Sequence, residues 1–397
     1  MEKMGITDPA GRGLGKKAVY LTLKVERIAP RSAALLKQEM LSQGGNAVLD
    51  ERELDCSGKV TNALLMGSLE QFEGLVRTLT PFPALEPLRE LLSETLENVY
   101  RTRYALRFGN RRVALGEKTL LMGVLNVTPD SFSDGGSFFD RDKAVDHGLR
   151  MVEEGADIVD IGGESTRPGS KPIDVDEELR RVLPVIRRLS RESDVPISID
   201  TTKSAVALEA AQAGARMIND ISGLRFDPSL ARVAAREGIP LVLMHIRGTP
   251  ETMQKDTQYD SLFSDILQSL RKSIRRAESS GVDPQQIVID PGIGFGKTLE
   301  GNLLLIKNLS EFRVLGKPIL LGTSRKSFLG KVLQAETGQR LEGTLSSVAI
   351  GVMKGAHIIR CHDVLQAKKA ILVADAVRLA GERLEAKGER PGVQSSG

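Results

Sequence analysis

From Thr119 to about Leu384 the chain alternates short, continuously apolar runs with longer stretches whose apolar residues recur at helical spacing. The short runs are Leu120–Val127, Asp157–Ile161, Pro196–Ile199, Arg216–Ile218, Pro240–Met244, Gln286–Ile289, Pro318–Leu321 and His357–Ile359. The longer ones include Lys143–Glu154, Asp176–Arg191, Ser204–Ala213 and Ser229–Glu237. A strand without polar alternation must be covered on both faces, which implies a parallel sheet flanked by helices. Eight such units predict an α/β fold, a (β/α)8 TIM barrel. The alternative is an open doubly wound sheet, but no strand leads into a G-x-G-x-x-G turn.

The preceding stretch, Ala18 to about Gly116, has a different rhythm. Val19–Val25 alternates like a strand, and Ser32–Leu41 reads as a helix opened by Pro30 and closed by Gly44-Gly45. Ala47–Leu49 and Ala63–Met66 read as short strands, Leu69–Thr78 and Ala84–Tyr104 as helices. This is a small α/β domain without a catalytic constellation, and its expected role is packing or oligomerisation. The character changes near Leu115–Lys118, so the expected limits are a domain over 18–116 and a barrel over 117–385. Residues 1–17 and 386–397, rich in Gly, Ser, Pro and charge, are expected as disordered tails.

Composition works mainly by exclusion. The 397 residues carry 55 Lys and Arg against 52 Asp and Glu, a formal net charge of +3. That balance provides no field to gather polyanions, and 4% aromatics without Trp provide no stacking platform, so no nucleic-acid partner is expected. No apolar run approaches the ~18–20 residues that span a bilayer, and the N-terminus lacks the apolar core of a signal peptide. Two cysteines, Cys56 and Cys361, do not make a disulfide framework, and a reducing cytoplasm is the expected setting.

A TIM barrel places its active site at the C-terminal ends of its strands. The residues there are Asn126, Asp160, Asp200, Asn219, His245, Asp290, Lys326 and Arg360. Buried unpaired carboxylates cost several kcal/mol each, so packing alone does not account for so many polar groups at one rim. Carboxylates and amides in an apolar pocket suit a flat heterocycle with several N–H groups. Asp160–Gly169 sets Arg167 beside Ser165 and Thr166, a fit for an oxyanion. Arg360 and His362 share one side of an extended chain and can both donate to a phosphate. Gly296-Lys297-Thr298 ends like a P-loop, but the leading glycine of that motif would fall on Pro291. A metal site from His357, Cys361 and His362 is disfavoured because Cys361 faces away from His362.

Taken in order, Asn126–Gly136, Asp160–Gly169, Asp200–Lys203, Asn219–Gly223, Leu243–Pro250, Asp290–Thr298, Ser324–Ser327 and Arg360–Val364 resemble the successive signatures of the dihydropteroate synthase family. The resemblance spans Thr119 to about Leu384 and omits the N-terminal domain. It implies condensation of 6-hydroxymethyl-7,8-dihydropterin pyrophosphate with p-aminobenzoate, using Mg²⁺, with Asn126 as the metal-holding residue and a homodimer as the assembly. By position it implies Asp160, Asp200, Asn219, Asp290 and Lys326 for the pterin. Asn126, Thr166, Arg360 and His362 would meet the pyrophosphate, and Phe132, Thr166, Arg167, Pro168 and Ser327 the p-aminobenzoate. Asn126, Asp130, Asp200, Lys326 and Arg360 are the implied catalytic set. Two rivals are a methyltetrahydrofolate-type pterin methyltransferase and a non-catalytic pterin-binding assembly protein. The anion-binding residues Thr166, Arg167 and Ser324–Ser327 speak against the first, and an intact Asn126, Lys326, Arg360 and His362 against the second.

Overall fold

Alternation of apolar residues builds the first of two compact units, which divide between Tyr100 and Arg101. The computed structural model describes residues 16–50, 60–128 and 139–380. In the first unit, β1 (Tyr20–Ile28), β2 (Asn46–Leu49) and β3 (Thr61–Ser68) form an antiparallel sheet in the order β1-β3-β2. Helices α1 (Pro30–Ser42), α2 (Leu69–Thr78) and α3 (Glu86–Tyr100) supply Leu36 and Met40, Phe72 and Leu75, and Leu92 and Leu96 in turn to its core. Ser68 caps α2 through a reciprocal box with Gln71, which fixes where strand gives way to helix. Of the expected tails, 1–15 and 386–397 lie outside the described residues, while Lys16 is helical and its Nζ lies 2.7 Å from Glu73.

The second unit begins with a hairpin that the sequence reading had placed partly in a helix and wholly in the first domain. Strands β4 (Tyr104–Phe108) and β5 (Arg111–Leu115) pair antiparallel around Gly109-Asn110. The signal was present: Tyr104, Leu106 and Phe108 alternate with polar or small residues before a Gly-Asn turn.

Eight parallel strands follow, each buried on both faces along nearly all its length. They are β6 (Leu120–Asn126), β7 (Ile158–Gly162), β8 (Ile197–Asp200), β9 (Met217–Asp220), β10 (Leu241–Met244), β11 (Ile287–Asp290), β12 (Leu320–Leu321) and β13 (Ile358–Cys361). Their order is β11-β10-β9-β8-β7-β6-β13-β12, and a parallel bridge between Ile289 and Ile319 joins the two ends of the ring. The eight predicted runs all become strands. Around them lie α4 (Phe139–Glu153), α5 (Val175–Glu192), α6 (Ser204–Ala213), α7 (Leu230–Glu237), α8 (Leu262–Ser279), α9 (Leu299–Lys307), α10 (Ser327–Leu333), α11 (Leu341–Met353) and α12 (Val364–Arg378).

Strand parity divides the core in two. Val159, Ile161, Ile197, Ile199, Ile218 and Ile289 face outward into the helix layer. Met122, Ile158, Met217, Val242, Val288 and Ile358 face inward and pack with Leu106, Phe108 and Leu115 of the hairpin. The hairpin therefore closes the N-terminal end of the barrel with side chains.

Candidate active site

The inward parity that puts Ile158, Met217, Val288 and Ile358 in the apolar floor puts Asp160, Asn219, Asp290 and Arg360 two residues further on, at the C-terminal mouth. Asp200 occupies the same place on β8. Asp160 is fully buried, and Asn219, Asp290 and Asp200 retain 4%, 6% and 8% exposure, so their partners decide whether the site is tolerable.

Arg360 is the first partner. Its Nε donates to Asp160 Oδ2 at 2.6 Å and its Nη2 to Asp200 Oδ2 at 2.6 Å. Asn219 Nδ2 donates to the same Asp160 oxygen at 2.9 Å. Asp160 Oδ1 is buried and has no partner among the described residues, so a ligand N–H is the group that would satisfy it. Arg360 is expected at a phosphate; here two carboxylates, from β7 and β8, already meet its charge through Nε and Nη2.

Lys326 is the second cation. It is the N-cap of α10, its Nζ donates to the Ile293 carbonyl, and it lies 4.0 Å above the Phe295 ring. The β11–α9 connection reaches it only because it is glycine-rich. A Cβ on Gly294 would lie 2.7 Å from Lys326 Cδ, and one on Gly292 would lie 1.9 Å from the His245 carbonyl oxygen. The Gly292 N–H in turn binds Asp290 Oδ1 at 2.7 Å.

Burial governs the protonation of this ring. It pushes Asp200 up, reinforced by Asp160 and opposed by Arg360. Burial also raises Asp290, against the Gly292 N–H and Lys326. It lowers Lys326 to about 7, with Arg360 acting in the same direction and Asp290 against it. Burial disfavours the charge on Arg360, but Asp160 and Asp200 outweigh it and move its pKa up. The mouth thus holds one fixed cation and several groups poised to exchange protons or hydrogen bonds with a polar heterocycle.

A second corner adjoins it. Asn126 Nδ2 lies 3.5 Å from His362 Nε2, and His362 Nδ1 lies 2.9 Å from Ser324 Oγ. Burial and the nearby Arg360 lower His362 to about 3, so it is neutral. Among the described residues no group of three or more His, Cys, Asp or Glu could hold a metal. Asn126 offers a single amide oxygen, a donor set that fits a Mg²⁺ drawing the rest of its shell from substrate phosphate and water.

The other expected residues are less concentrated. Thr166 is half-buried, and Arg167 and Pro168 are exposed on the β7–α5 connection. Arg167 has no ion pair among the described residues. Ser327 is the exposed first residue of α10. Asp130 and Phe132 lie outside the described residues.

His245, expected at the mouth, proves structural. Lys297 Nζ lies 3.1 Å from its Nδ1 and donates to the carbonyls of Gly292 at 2.8 Å and Phe295 at 3.0 Å. Burial and that ammonium drive His245 down to about 2. Lys297 is thus the internal tie of the glycine-rich connection, while Thr298 caps α9 by accepting the Gly301 N–H at 3.0 Å. The sequence assigns Phe295 no role, although it sits in the Asp290–Thr298 segment; a flat apolar residue among three glycines is the available signal. Ser324, expected at an anion, instead lies against His362.

The pterin binding enzyme family matches residues 122–362. A dihydropteroate synthase from Bacillus subtilis is 50% identical over 261 residues, covering 66% of this chain and 89% of that protein. A probable bifunctional folylpolyglutamate synthase/dihydropteroate synthase from Haloferax volcanii is 38% identical over 401 residues. That alignment covers 98% of this chain and 47% of that protein, so it takes in the first unit as well. The structure of Xanthomonas albilineans dihydropteroate synthase with 4-aminobenzoic acid superposes with a TM-score of 0.66 at 42% identity, covering 70% of this chain and 99% of that one.

Proposed function

The chain belongs to the dihydropteroate synthases of the pterin binding enzyme family, and we propose that Asp160, Asp200, Asn219, Asp290 and Lys326 hold the pterin of its first substrate while Asn126, Arg360 and His362 meet the pyrophosphate. The enzyme is a transferase that condenses 6-hydroxymethyl-7,8-dihydropterin pyrophosphate with 4-aminobenzoate to give 7,8-dihydropteroate and pyrophosphate.

The observation that carries the assignment is the buried carboxylate ring with its unsatisfied Asp160 Oδ1. A dihydropterin presents several N–H groups in one plane, and acceptors in an apolar pocket recognise it by direction as well as charge. Lys326 donates to its acceptor edge, and the Phe295 ring offers an apolar face. Breaking the methylene–oxygen bond leaves positive charge on the pterin methylene, which the fixed carboxylates stabilise without reorganisation. The amine nitrogen of 4-aminobenzoate then forms the new carbon–nitrogen bond and releases one proton. An aromatic amine is neutral at pH 7, so no strong base is needed.

Arg360 bridges the two halves of the site. It fixes Asp160 and Asp200, and among the described residues its Nη1 is without a partner, so that nitrogen is the one we assign to the departing phosphate. Neutral His362, steadied by Ser324, supplies a ring N–H to the same corner. Mg²⁺ held by Asn126 and the pyrophosphate would lower the charge of the leaving group. Thr166, Arg167, Pro168 and Ser327, with Asp130 and Phe132, are assigned to the 4-aminobenzoate.

Pyrophosphate should appear only when both substrates and Mg²⁺ are present, and chelation should abolish it. Turnover undiminished by chelation would remove the metal from this scheme, and binding of the pterin substrate without pyrophosphate release would remove the pyrophosphate assignment.

We also assign a second copy of the chain to the exposed apolar face of α11 and α12. Ile350 and Met353 on α11 and Leu372, Val373 and Val377 on α12 are 47% to 66% exposed. Val373→Asp should shift the mass in light scattering from dimer to monomer; a dimer that survives it uses another face. No described helix is long and apolar enough to cross a membrane, and with Cys361 a buried free thiol a cytoplasmic setting suits the chain.

A further inference from the structure

Three charged side chains at the mouth take no part in the scheme above. Lys203, at the N-cap of α6, lies three positions after Asp200 in the sequence. Its Nζ donates to Glu164 Oε2 at 2.6 Å and to Glu178 Oε2 at 2.5 Å. The Lys203 and Glu164 side chains retain 21% and 17% exposure and Glu178 only 1%, so little water is available to replace these contacts. Charges withdrawn from water are tolerable only when paired, and removal of one partner leaves the others exposed to the full penalty.

Glu164 does a second thing with the same oxygen. Its Oε2 accepts the Ile173 N–H at 3.0 Å, which closes the connection between β7 and α5 into a loop tied at its base. The loop is ordered within itself by Ser170, whose Oγ donates to the Ser165 carbonyl at 2.5 Å and whose N–H donates to the Arg167 carbonyl at 3.0 Å. Arg181 Nη1 holds the Gly163 carbonyl at 2.8 Å from the α5 side. Thr166 and Arg167 ride at the tip of this closed segment, and neither is itself tied to the pterin ring by an ion pair.

We infer that Lys203 and Glu164 are positioning residues for the second substrate. The ammonium fixes the carboxylate that closes the loop, and the closed loop fixes Thr166 and Arg167 relative to the strand end that carries Asp200. The inference rests on the assignment of this loop to 4-aminobenzoate made above. A loop tied this way is pre-paid in conformational entropy, so untying it costs binding of the group it carries rather than the chemistry on the pterin.

Steady-state kinetics on the full-length enzyme test this with four variants. Glu164→Ala removes the tie, and Ile173→Pro removes the N–H, together with the isoleucine side chain, while leaving all three charged side chains in place. Both should raise KM for 4-aminobenzoate about tenfold to a hundredfold, with kcat and the KM for the pterin substrate within about twofold of wild type. Glu164→Gln keeps an acceptor oxygen for Ile173 and should recover most of that loss. Arg167→Ala gauges the loop assignment itself and should raise the same KM. If Arg167→Ala leaves it unchanged, the loop does not meet 4-aminobenzoate, and both readings fall. If Arg167→Ala raises it but neither Glu164→Ala nor Ile173→Pro does, or if these two lower kcat with KM intact, the positioning role alone is overturned. Should Glu164→Ala fail to fold, Ile173→Pro decides by itself.

Discussion

Ile158 and Asp160 stand two residues apart on β7 and face the same barrel interior, yet one packs against a hairpin and the other meets an arginine. Met217 and Asn219, Val288 and Asp290, and Ile358 and Arg360 repeat the contrast on three further strands. The lower member of each pair is sealed by Leu106, Phe108 and Leu115 and gains from burial, roughly 1.5–3 kcal/mol for a large aliphatic side chain. The upper member is desolvated without that gain and is held only by charge pairing and by whatever ligand completes it. The floor therefore buys stability, and the mouth spends some of it to stay receptive.

The largest effect should separate the ends outright. Lys326→Ala and Asp290→Ala are expected to cut turnover about a thousandfold or more without lowering the unfolding temperature, while Val288→Ala directly below leaves kcat unchanged. Near-normal turnover in Lys326→Ala would end the pterin assignment of this ring. The mirror experiment acts on the floor. Ile358→Ala or Leu106→Ala should cost about 2–5 kcal/mol in denaturant unfolding, with kcat/KM of the folded fraction intact. A variant that lost activity but not stability would show that the floor takes part in the site.

Protons sharpen the comparison next, because each end buries a histidine. Burial lowers His357, at the floor, to about 4 and His362, at the mouth, to about 3. Both are held below the ordinary histidine value, so below pH about 6.5 the unfolded chain binds protons that the fold refuses. Stability is full above that pH and is lost as pH falls toward the folded values. His357 Nδ1 accepts the Ile319 N–H at 3.1 Å, a bond that protonation at that atom breaks. His357→Gln should remove about 2 kcal/mol of the stability lost between pH 6.5 and 5, read from unfolding curves at both pH values; an unaltered slope would place that loss elsewhere.

The smallest effect concerns β8, where the lower member of the pair is polar. Below Asp200 stands Ser198, whose Oγ is buried without a partner among the described residues. Ser198→Ala completes an apolar floor and should leave activity unchanged and stability equal or higher by up to about 1 kcal/mol. A loss of stability would mean that this hydroxyl holds a partner the floor requires.

Much of this was legible beforehand because strands and helices announce themselves locally. The apolar runs marked all eight strands, and the rule that barrels work at their C-terminal ends picked out Asp160, Asp200, Asn219, Asp290 and Arg360 before any coordinates. The hairpin was missed because the α3 pattern ran on toward Tyr104, and five-residue strands give little periodicity to weigh against it. His245 was placed at the mouth from its position after β10, yet its neighbour Lys297 arrives from another connection and turns it into part of the scaffold. Asp220, next to Asn219, has outward parity, and its carboxylate caps the turn by accepting the N–H groups of Ser222 and Leu224.

The sequence by itself determined which side chains face the barrel axis, since parity along a strand is a property of the backbone and needs no partner. It could not determine which of them meet. Arg360 reaches Asp160 and Asp200 across 200 and 160 residues of chain. Glu164 chooses Ile173 and Lys203 at once, and Lys326 finds the carbonyl of Ile293 and the ring of Phe295. Those pairings exist only when the ring of strands closes and fixes the height of each strand against its neighbour. They are decided by the tertiary structure because a hydrogen bond or an ion pair depends on a few tenths of an ångström between atoms from separate segments, and no local pattern encodes that distance.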